Sequence, residues 1–451
     1  MNLRIAAPTA RSSRPRVVRA VWAGAFMLLI LAPLVVAALT GPTPTSRPFW
    51  TEVGVAFGFV AFPLILVQFA LVSRLAAVSR PFGTDALLQW HRGMGLAVLA
   101  FLGLHPLLIA GVPWSAWNPL SGSVLMQTGA VAFWGTLLIV ATSVWRRRLG
   151  LSYEAWQIVH LGLACLMTVT ATWHILAARS YSASPAVRWI LLGYVALCAA
   201  LLLRYRFVRP LGMLRRPWTI EANSDIGGSV RLLRVRPDGH AGLGFEAGQF
   251  GWLITGSHPV FSEQHPLSFA SSATPAVDGS VEFAIKNLGD WSGQVVPALS
   301  PGRRVWIDGP FGGFTPDLTS TRGLVLIAGG IGIAPMRSVL LTLRDSGRRS
   351  PVWLFHAASN WSRVVFRDEL AALADELNMQ VCYVFENPDA DWTGERGRIT
   401  RGVLERHLPA DRVGFDYFIC GPVAMMDAVE GCLTDMGVPA GQVHTERFQM
   451  V

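Results

Sequence analysis

Four histidines in the first half of the chain have a spacing that indicates chemistry. They form two pairs, His91 with His105 and His160 with His174, and the members of each pair are 14 residues apart. On an α-helix, 14 residues return a side chain to within about 40° of its starting direction and carry it about 21 Å along the axis. Two such helices side by side would hold two stacked haems, one near each face of a membrane, and electrons would cross between them.

This interpretation requires membrane-spanning helices, and the composition favours them. Of the 451 residues, 52% are hydrophobic and only 15% are charged, and the mean hydropathy is +0.41. The first apolar stretch is too long for the core of a cleaved signal peptide, so we expect it to be a retained helix. Six stretches are long enough to cross the hydrocarbon core: residues 18–40, 51–73, 85–111, 123–145, 153–178 and 187–207.

The arginines predict how these spans are oriented. They cluster before the first span, between the second and third, after the fourth and at the end of the sixth, whereas the alternate connections carry few. By the positive-inside rule both termini, and everything after residue 210, are then cytoplasmic in an integral protein of the cell (inner) membrane. This accounts for the formal charge of +9 without a nucleic-acid site, and no basic patch interleaved with aromatic residues argues for one.

The expected helix starts set the depth of the histidines. We predict that the third helix starts at Thr84 or Asp85 and the fifth at Ser152, since these residue types cap helix N-termini. The first histidines of the two helices then lie at nearly the same depth, and so do the second ones.

Equal depth predicts which histidines share an iron: His91 with His160 on the cytoplasmic side, and His105 with His174 on the outer side. The alternative is that all four make hydrogen bonds between helices, which the duplicated spacing and matched depth disfavour. An iron with two imidazole ligands has no vacant position, so we expect these haems to relay electrons rather than to activate a bound ligand.

Residues 217–316 have short alternating strands separated by Gly, Pro and Asp turns, which is typical of a small antiparallel barrel. Within it, the strand His265-Pro266-Leu267-Ser268 is followed by the segment Lys286-Asn287-Leu288-Gly289-Asp290-Trp291-Ser292, where a glycine-led turn opens a helix. Side chains from both segments and the free amides at the helix start would hold a dinucleotide pyrophosphate. Either segment alone is also compatible with an ordinary turn.

From residue 321 to residue 451 the pattern changes to alternating strands and helices. The buried strand Leu324–Ala328 runs directly into Gly329-Gly330-Ile331-Gly332-Ile333-Ala334-Pro335 and then an apolar-periodic helix. Glycines at this position let backbone amides approach a phosphate at the helix N-terminus. Further strands predict a doubly wound, largely parallel sheet, with a Rossmann turn that binds no nucleotide as the alternative.

The order of these motifs resembles the NADPH oxidase and ferric reductase family. The resemblance rests on the histidine pairs of the third and fifth of six membrane helices, followed in order by HPLS, GDWS, DGPFGG, GGIGIAP, CGP and a near-terminal aromatic residue. The C-terminal half of the chain resembles ferredoxin-NADP reductase. The expected fold is a membrane α-helical bundle plus a cytoplasmic α/β module, which comprises an antiparallel FAD β-barrel and a Rossmann-like NADPH domain. The expected segments are a basic arm (1–17), the di-haem domain (18–210), the FAD domain (217–316) and the NADPH domain (321–451).

The resemblance also implies roles for particular residues. It implies that Ser268 hydrogen-bonds the isoalloxazine, that Glu446 is the acidic residue near the flavin, and that Phe448 stacks on the flavin until nicotinamide displaces it. Three residues follow Phe448, where the oxidases end at the aromatic. The flavin set is His265, Pro266, Leu267, Ser268, Lys286, Gly289, Asp290, Trp291 and Ser292. The NADPH set is Gly329, Gly330, Gly332 and Pro335 at the phosphates, with Cys420, Gly421 and Pro422 beside the nicotinamide.

Coenzyme choice and the outer acceptor stay open at this point. Ser362 and Arg363 follow the second strand of the nucleotide domain, where a guanidinium would suit a 2′-phosphate, so NADPH is favoured and NADH is the alternative. The short outer connections suit dioxygen, giving superoxide, as acceptor, with a ferric chelate as the alternative. A haem-flavin redox sensor or anchor acting through a protein partner is the alternative from another class of function.

Overall fold

The computed structural model describes residues 15–41, 47–75, 78–79, 83–109, 112–260, 262–318 and 322–447. The chain forms two compact units that divide between Val208 and Arg209.

The first unit is a bundle of long apolar helices. Among the described residues, six helices are long and apolar enough to cross a membrane, which confirms the prediction of six spans. They are α1 (Pro15–Thr40), α2 (Phe49–Val72), α3 (Thr84–Leu108), α4 (Val124–Val144), α5 (Tyr153–Ala178) and α6 (Pro185–Leu203).

Local sequence explains where these helices begin. Ser152 caps α5 as predicted, because its Oγ accepts a hydrogen bond from the Ala155 amide at 3.2 Å. Helix α3 begins at Thr84, but its N-cap is Gly83 rather than Thr84 or Asp85. Gly83 has a φ of 81°, a left-handed conformation that glycine adopts without strain. The predicted start at Thr84 is confirmed, while the prediction of a side-chain cap is wrong because the N-cap position is a glycine.

The core of this unit lies along α2. Buried Phe62, Ile65 and Leu66 of α2 pack in one cluster with Val98 of α3 and Leu191 of α6. The other long helices keep much of their apolar surface exposed, as expected for helices whose outward faces contact lipid.

The second unit starts with a short helix α7 (Arg209–Met213) and a six-stranded antiparallel barrel. The barrel strands lie in the order β4-β3-β6-β1-β2-β5. A bridge between Phe269, just after β4, and Phe283 of β5 joins the two outer strands, so the sheet closes on itself. The strands are β1 (Trp218–Asp225), β2 (Val230–Pro237), β3 (Phe250–Ile254), β4 (His265–Ser268), β5 (Val281–Lys286) and β6 (Arg304–Phe311).

The remainder of the second unit is a nucleotide lobe built on a six-stranded parallel sheet of order β10-β9-β8-β7-β11-β12. Its strands are β7 (Leu324–Gly329), β8 (Val352–Ala358), β9 (Met379–Phe385), β10 (Glu395–Arg396), β11 (Asp416–Cys420) and β12 (Val443–Thr445). Its helices are α8 (Ile333–Asp345), α9 (Arg367–Glu376), α10 (Arg401–His407) and α11 (Val423–Asp435).

Alternation along β7 explains why helices cover both faces of this sheet. Leu324 and Leu326 pack in one core with residues of α8 and α9. Val325 and Ile327 pack in a second core with residues of α10 and α11. Successive side chains of a strand point to opposite faces, so a continuous apolar strand requires two covering layers, as the sequence predicted.

Candidate functional site

The histidine rings of the membrane unit meet in the pairs that the sequence predicted. The ring centroids of His91 and His160 lie 6.1 Å apart, and those of His105 and His174 also lie 6.1 Å apart. Both pairs join α3 to α5, so these two helices run in the same direction. Neighbouring pairs along the same two helices form two levels, separated by about 21 Å of helix rise.

The separation within each pair fits a metal ion held between two imidazoles. Two metal–nitrogen bonds of about 2.0 Å, each extended by about 1.1 Å to the ring centre, span about 6 Å. A bare metal ion needs more than two protein donors, whereas a haem supplies four in-plane nitrogens itself and takes two axial imidazoles. The rings therefore fit haem better than an isolated ion.

Hydrogen bonds orient the outer pair. His105 Nδ1 lies 2.8 Å from the Gly54 carbonyl oxygen of α2, and His174 Nδ1 lies 2.8 Å from the Leu125 carbonyl oxygen of α4. A carbonyl only accepts, so Nδ1 carries the proton in both rings and Nε2 keeps its lone pair. This is the tautomer that metal-ligating histidines show.

In the second unit, the two predicted flavin segments contact each other. The rings of His265 and Trp291 stack with centroids 3.6 Å apart and planes 14° apart, and Trp291 Nε1 donates to Thr255 Oγ1 at 3.1 Å. Ser268 is buried at the end of β4. Pro266 and Leu267 are partly buried between these positions, while Gly289 and Asp290 are exposed.

Ser292 is engaged within its own turn. Its Oγ accepts from the amides of Leu288 (2.9 Å) and Gly289 (3.0 Å) and lies 3.1 Å from the Gly289 carbonyl oxygen, to which it donates. The glycine-led turn opens one π-helical turn, Trp291–Val295, followed by a 3₁₀ turn. The helix predicted here is therefore only these two short turns.

Lys286 connects the flavin segments to the nucleotide turn. Its Nζ lies 3.4 Å from the point that a Cβ at Gly330 would occupy, and Gly330 has a φ of 54°. A cation beside exposed backbone at a helix start suits a pyrophosphate. The sequence indicated both elements but not that they meet.

Cys420 and the glycine turn are also in direct contact. A Cβ at Gly332 would overlap the Cys420 carbonyl oxygen, so only glycine permits this approach of the turn to the end of β11. A Cβ at Gly329 would lie 2.7 Å from Pro422 Cδ, and a Cβ at Gly421 would lie 2.9 Å from Gly329. Pro335 is buried in the first turn of α8. Glu446 is buried, and its Oε1 lies 2.8 Å from the point that a Cβ at Gly312 would occupy, beside the barrel.

The two residues predicted to select the coenzyme, Ser362 and Arg363, both make hydrogen bonds within the second unit. Ser362 Oγ bonds Asn360 Oδ1 at 2.8 Å, and Arg363 Nη1 donates to Ser229 Oγ of the barrel at 2.9 Å. Phe448 lies outside the described residues.

Sequence reasoning missed Arg337, the most deeply paired cation of the second unit. Its guanidinium is 8% exposed and bonds Glu282 of β5 at 2.7 Å and Glu369 of α9 at 2.6 and 2.9 Å. It also donates to the Ala270 carbonyl oxygen at 2.8 Å. Arg337 thereby joins the barrel to the nucleotide lobe. The sequence signal for it was an arginine inside an apolar-periodic helix.

Comparison with known proteins assigns both units. Residues 57–171 match the family described as ferric reductase like transmembrane component, and residues 326–431 match the oxidoreductase NAD-binding domain. The chain is 31% identical over 243 residues to ferredoxin–NADP reductase B of Sorangium cellulosum, an alignment that covers 49% of this chain and 96% of that protein. The chain joins a ferric reductase-like transmembrane component to a reductase module of the ferredoxin–NADP reductase family.

Other similarities concern the reductase module. The chain is 30% identical over 228 residues to the reductase component of propane 2-monooxygenase of Rhodococcus jostii, covering 49% of this chain and only 59% of that relative. The crystal structure of the Amycolatopsis cytochrome P450 reductase superposes with a TM-score of 0.46 at 25% identity, covering 52% of this chain and 69% of that one.

The family sets the class of activity. The second unit is an oxidoreductase module of the NAD(P)H- and FAD-dependent ferredoxin–NADP reductase type, and the first unit carries a ferric reductase-like transmembrane component. The matched range contains His91, His105 and His160, and His174 lies three residues past its end.

Proposed function

We propose that this protein carries electrons from cytoplasmic NADPH, through FAD and two b-type haems, to an acceptor on the other side of the cell membrane. The acceptor that we propose is dioxygen, which is reduced to superoxide. The observation that carries the proposal is the pair of matched imidazole contacts, each 6.1 Å between centroids, at two levels of the same two helices.

Each group would supply a distinct part of the chemistry when bound: the flavin takes a two-electron hydride and releases single electrons, and the haem irons carry single electrons. The protein supplies position and charge. His91 with His160 and His105 with His174 would hold the irons, with Nε2 of the two outer rings left free by their backbone hydrogen bonds.

At the donor end, we propose that the chain binds both nucleotides around the contact of Lys286 with the glycine turn. The Lys286 ammonium beside Gly330 supports a pyrophosphate at this position. Ser268 at the buried end of β4 and Glu446 beside Gly312 would face the flavin, and Cys420 would lie beside the nicotinamide. Phe448 would cover the flavin.

The proposed orientation places both termini and the reductase module in the cytoplasm, because the arginines concentrate in the connections on that side. Outward electron movement is then favoured by an inside-negative membrane potential, by about 2.3 kcal/mol per electron at 100 mV. Turnover is expected to depolarise the membrane.

Dioxygen is the acceptor that the outer connection between α3 and α4 favours. Residues 112–123, which join α3 to α4, contain no charged side chain, and a small neutral acceptor needs no charged docking surface. A ferric chelate is anionic in many forms and would gain from cationic groups there.

The deciding experiment uses the full-length protein in proteoliposomes with FAD, supplied with NADPH on the side of the reductase module. Under anaerobic conditions both haems should become reduced. After air is admitted, dye reduction sensitive to superoxide dismutase should appear on the opposite side, and a ferric chelate offered there should be reduced more slowly. A redox sensor acting through a partner would reduce flavin but not both haems, and this result would contradict the proposal.

A further inference from the structure

The two histidine pairs are not held in the same way. Both outer rings donate from Nδ1 to backbone carbonyls at 2.8 Å. In the inner pair, His160 Nδ1 lies 3.3 Å from the Ser143 hydroxyl of α4. No hydrogen bond reaches His91 Nδ1 within the part of the chain that the structure describes.

The same arrangement of a backbone carbonyl and a glycine one turn later holds each outer histidine. In α2, the Gly54 carbonyl accepts from His105, and one turn later Gly58 faces the same ring, where a Cβ would lie 3.1 Å from Nδ1. In α4, the Leu125 carbonyl accepts from His174, and one turn later a Cβ at Gly129 would lie 2.9 Å from Nδ1. Each glycine lets its imidazole lie directly against a helix backbone.

The hydrogen bonds of Ser143 show which atom donates in its contact with His160. The Ser143 hydroxyl has one proton, which it donates to the Ile139 carbonyl oxygen at 2.7 Å. Its oxygen therefore acts as acceptor toward His160 Nδ1 and toward Trp156 Nε1, which lies at 3.3 Å. The His160 proton consequently sits on Nδ1, and the acceptor it meets is longer and is shared with a second donor.

We propose that this difference sets the order of the two haem reduction potentials, with the inner haem above the outer one and Ser143 as the positioning residue that tunes the inner haem. The inference rests on the proposed function. A strong acceptor at Nδ1 raises the basicity of the ligand and stabilises the ferric state, so it lowers the potential. The outer imidazoles donate to two strong acceptors, and the inner pair has one weaker, shared acceptor.

Charge near the inner pair acts in the same direction. The Arg146 guanidinium lies 5.9 Å from the centre of the Trp156 ring, which in turn lies 5.1 Å from the His160 ring. Arg92 follows His91 directly and is exposed. Positive charge favours the reduced, less positive iron, so both observations place the inner potential above the outer one.

This order has a consequence for the electron path. With haem bound at both pairs, a step from the inner to the outer site would be uphill in potential on its own, and an inside-negative membrane potential would offset the difference. Electrons would collect on the inner haem when the membrane is depolarised, so flux would depend on the membrane potential.

The experiment is a potentiometric titration of the full-length protein in detergent, read from the haem absorption bands. Two components are expected in the wild type. In His174→Ala, which retains only the inner pair, the component that remains should be the one of higher potential.

In Ser143→Ala the inner component should move to higher potential, enough to change its reduced-to-oxidised ratio about threefold or more at a fixed poise, a tenfold change corresponding to about 59 mV. Ser143→Thr keeps the hydroxyl acceptor and should leave that component in place. Ser143→Cys, with a weaker acceptor, should fall between them, and it decides the matter if Ser143→Ala loses haem.

Several results would overturn the inference. They are a Ser143→Ala titration that superposes on the wild type, an equal shift of both components, or a remaining component of lower potential in His174→Ala. Failure of the proposed function looks different: the wild type itself would then lack haem bands, or would bind only one haem.

Discussion

In the membrane helices the four histidines meet because one helical period repeats on two parallel helices, whereas in the reductase module the groups that meet come from distant segments. His91 reaches His160 through regular geometry that 14-residue spacing already contains. Lys286 reaches Gly330 only because a barrel and a parallel sheet pack together. Residue spacing predicts a functional contact that depends on helical periodicity, but it does not predict one that depends on how distant segments pack.

The two regions also differ in what holds their functional groups. Backbone carbonyls orient the outer imidazoles, so the helix itself is the partner. In the reductase module a buried arginine and its two carboxylates join the lobes. We expect side-chain changes to act locally in the membrane unit and across the whole module in the other.

The largest expected effect is removal of one histidine. His105→Ala should lose the outer haem, halve the haem content per flavin and reduce transmembrane electron flow at least 100-fold, because a single axial ligand holds haem weakly. Reduction of flavin by NADPH should be unchanged. The measurements are haem per flavin and anaerobic flavin reduction, with Thr172→Ala of α5 as the control. Full haem content in His105→Ala would contradict the assignment of His105 as a ligand of the outer haem.

The next effect tests whether the helix backbone is the partner. Gly129→Ala places a Cβ 2.8 Å from His174 Cε1, closer than real contacts allow, so the ring must move away from the Leu125 carbonyl. We expect haem content to fall toward one per flavin. Gly162→Ala of α5, where a Cβ meets nothing within 4 Å, is the matched control and should bind as much haem as the wild type. Gly58→Ala, with a Cβ at 3.1 Å from the ring of His105, should give the milder loss.

A third prediction concerns the packing of the reductase module. Arg337→Met leaves the Glu282 and Glu369 carboxylates without their partner, and breaking a buried ion pair costs about 3–5 kcal/mol. The temperature of flavin release should drop, and hydride transfer should slow because the two lobes lose their alignment. Arg344→Met on the same helix α8 removes a half-exposed arginine beside Asp345 and should change stability by less than about 1 kcal/mol. Equal effects in the two variants would contradict a role for Arg337 in joining the lobes.

The same contrast explains how much the sequence could predict. Six spans, the antiparallel barrel and the parallel sheet follow from local period and composition, and the structure confirms these elements. The histidine rings lie in the expected pairs, while their role as haem ligands stays a prediction. Ser152 was predicted as a cap because capping depends on one side chain and the next turn.

What the sequence could not give depends on distant neighbours. The N-cap of α3 is Gly83 rather than a predicted side-chain cap, and its φ of 81° is a backbone conformation that the residue pattern did not indicate. Arg337 offered only the weak signal of an arginine inside an apolar-periodic helix, because its partners lie 32 to 67 residues away. Ser143 offered no signal, because its partner His160 lies on a neighbouring helix. The roles of Cys420, Glu446 and Phe448 stay predictions that rest on resemblance.

The smallest expected effect is a pH dependence that only the reductase module should show. His356 of β8 is fully buried, and burial lowers its pKa to about 4, an effect that the Gly330 backbone opposes. Between about pH 4 and pH 6.5 the unfolded chain therefore binds more protons than the folded one, so stability rises with pH there and falls as pH decreases. From pH 6.5 to pH 5 the loss is about 1.5 kcal/mol, which corresponds to a flavin-release temperature lower by about 5 °C. His356→Leu should flatten this slope while the haem spectrum stays the same. An unchanged slope in His356→Leu would assign the pH dependence to other groups.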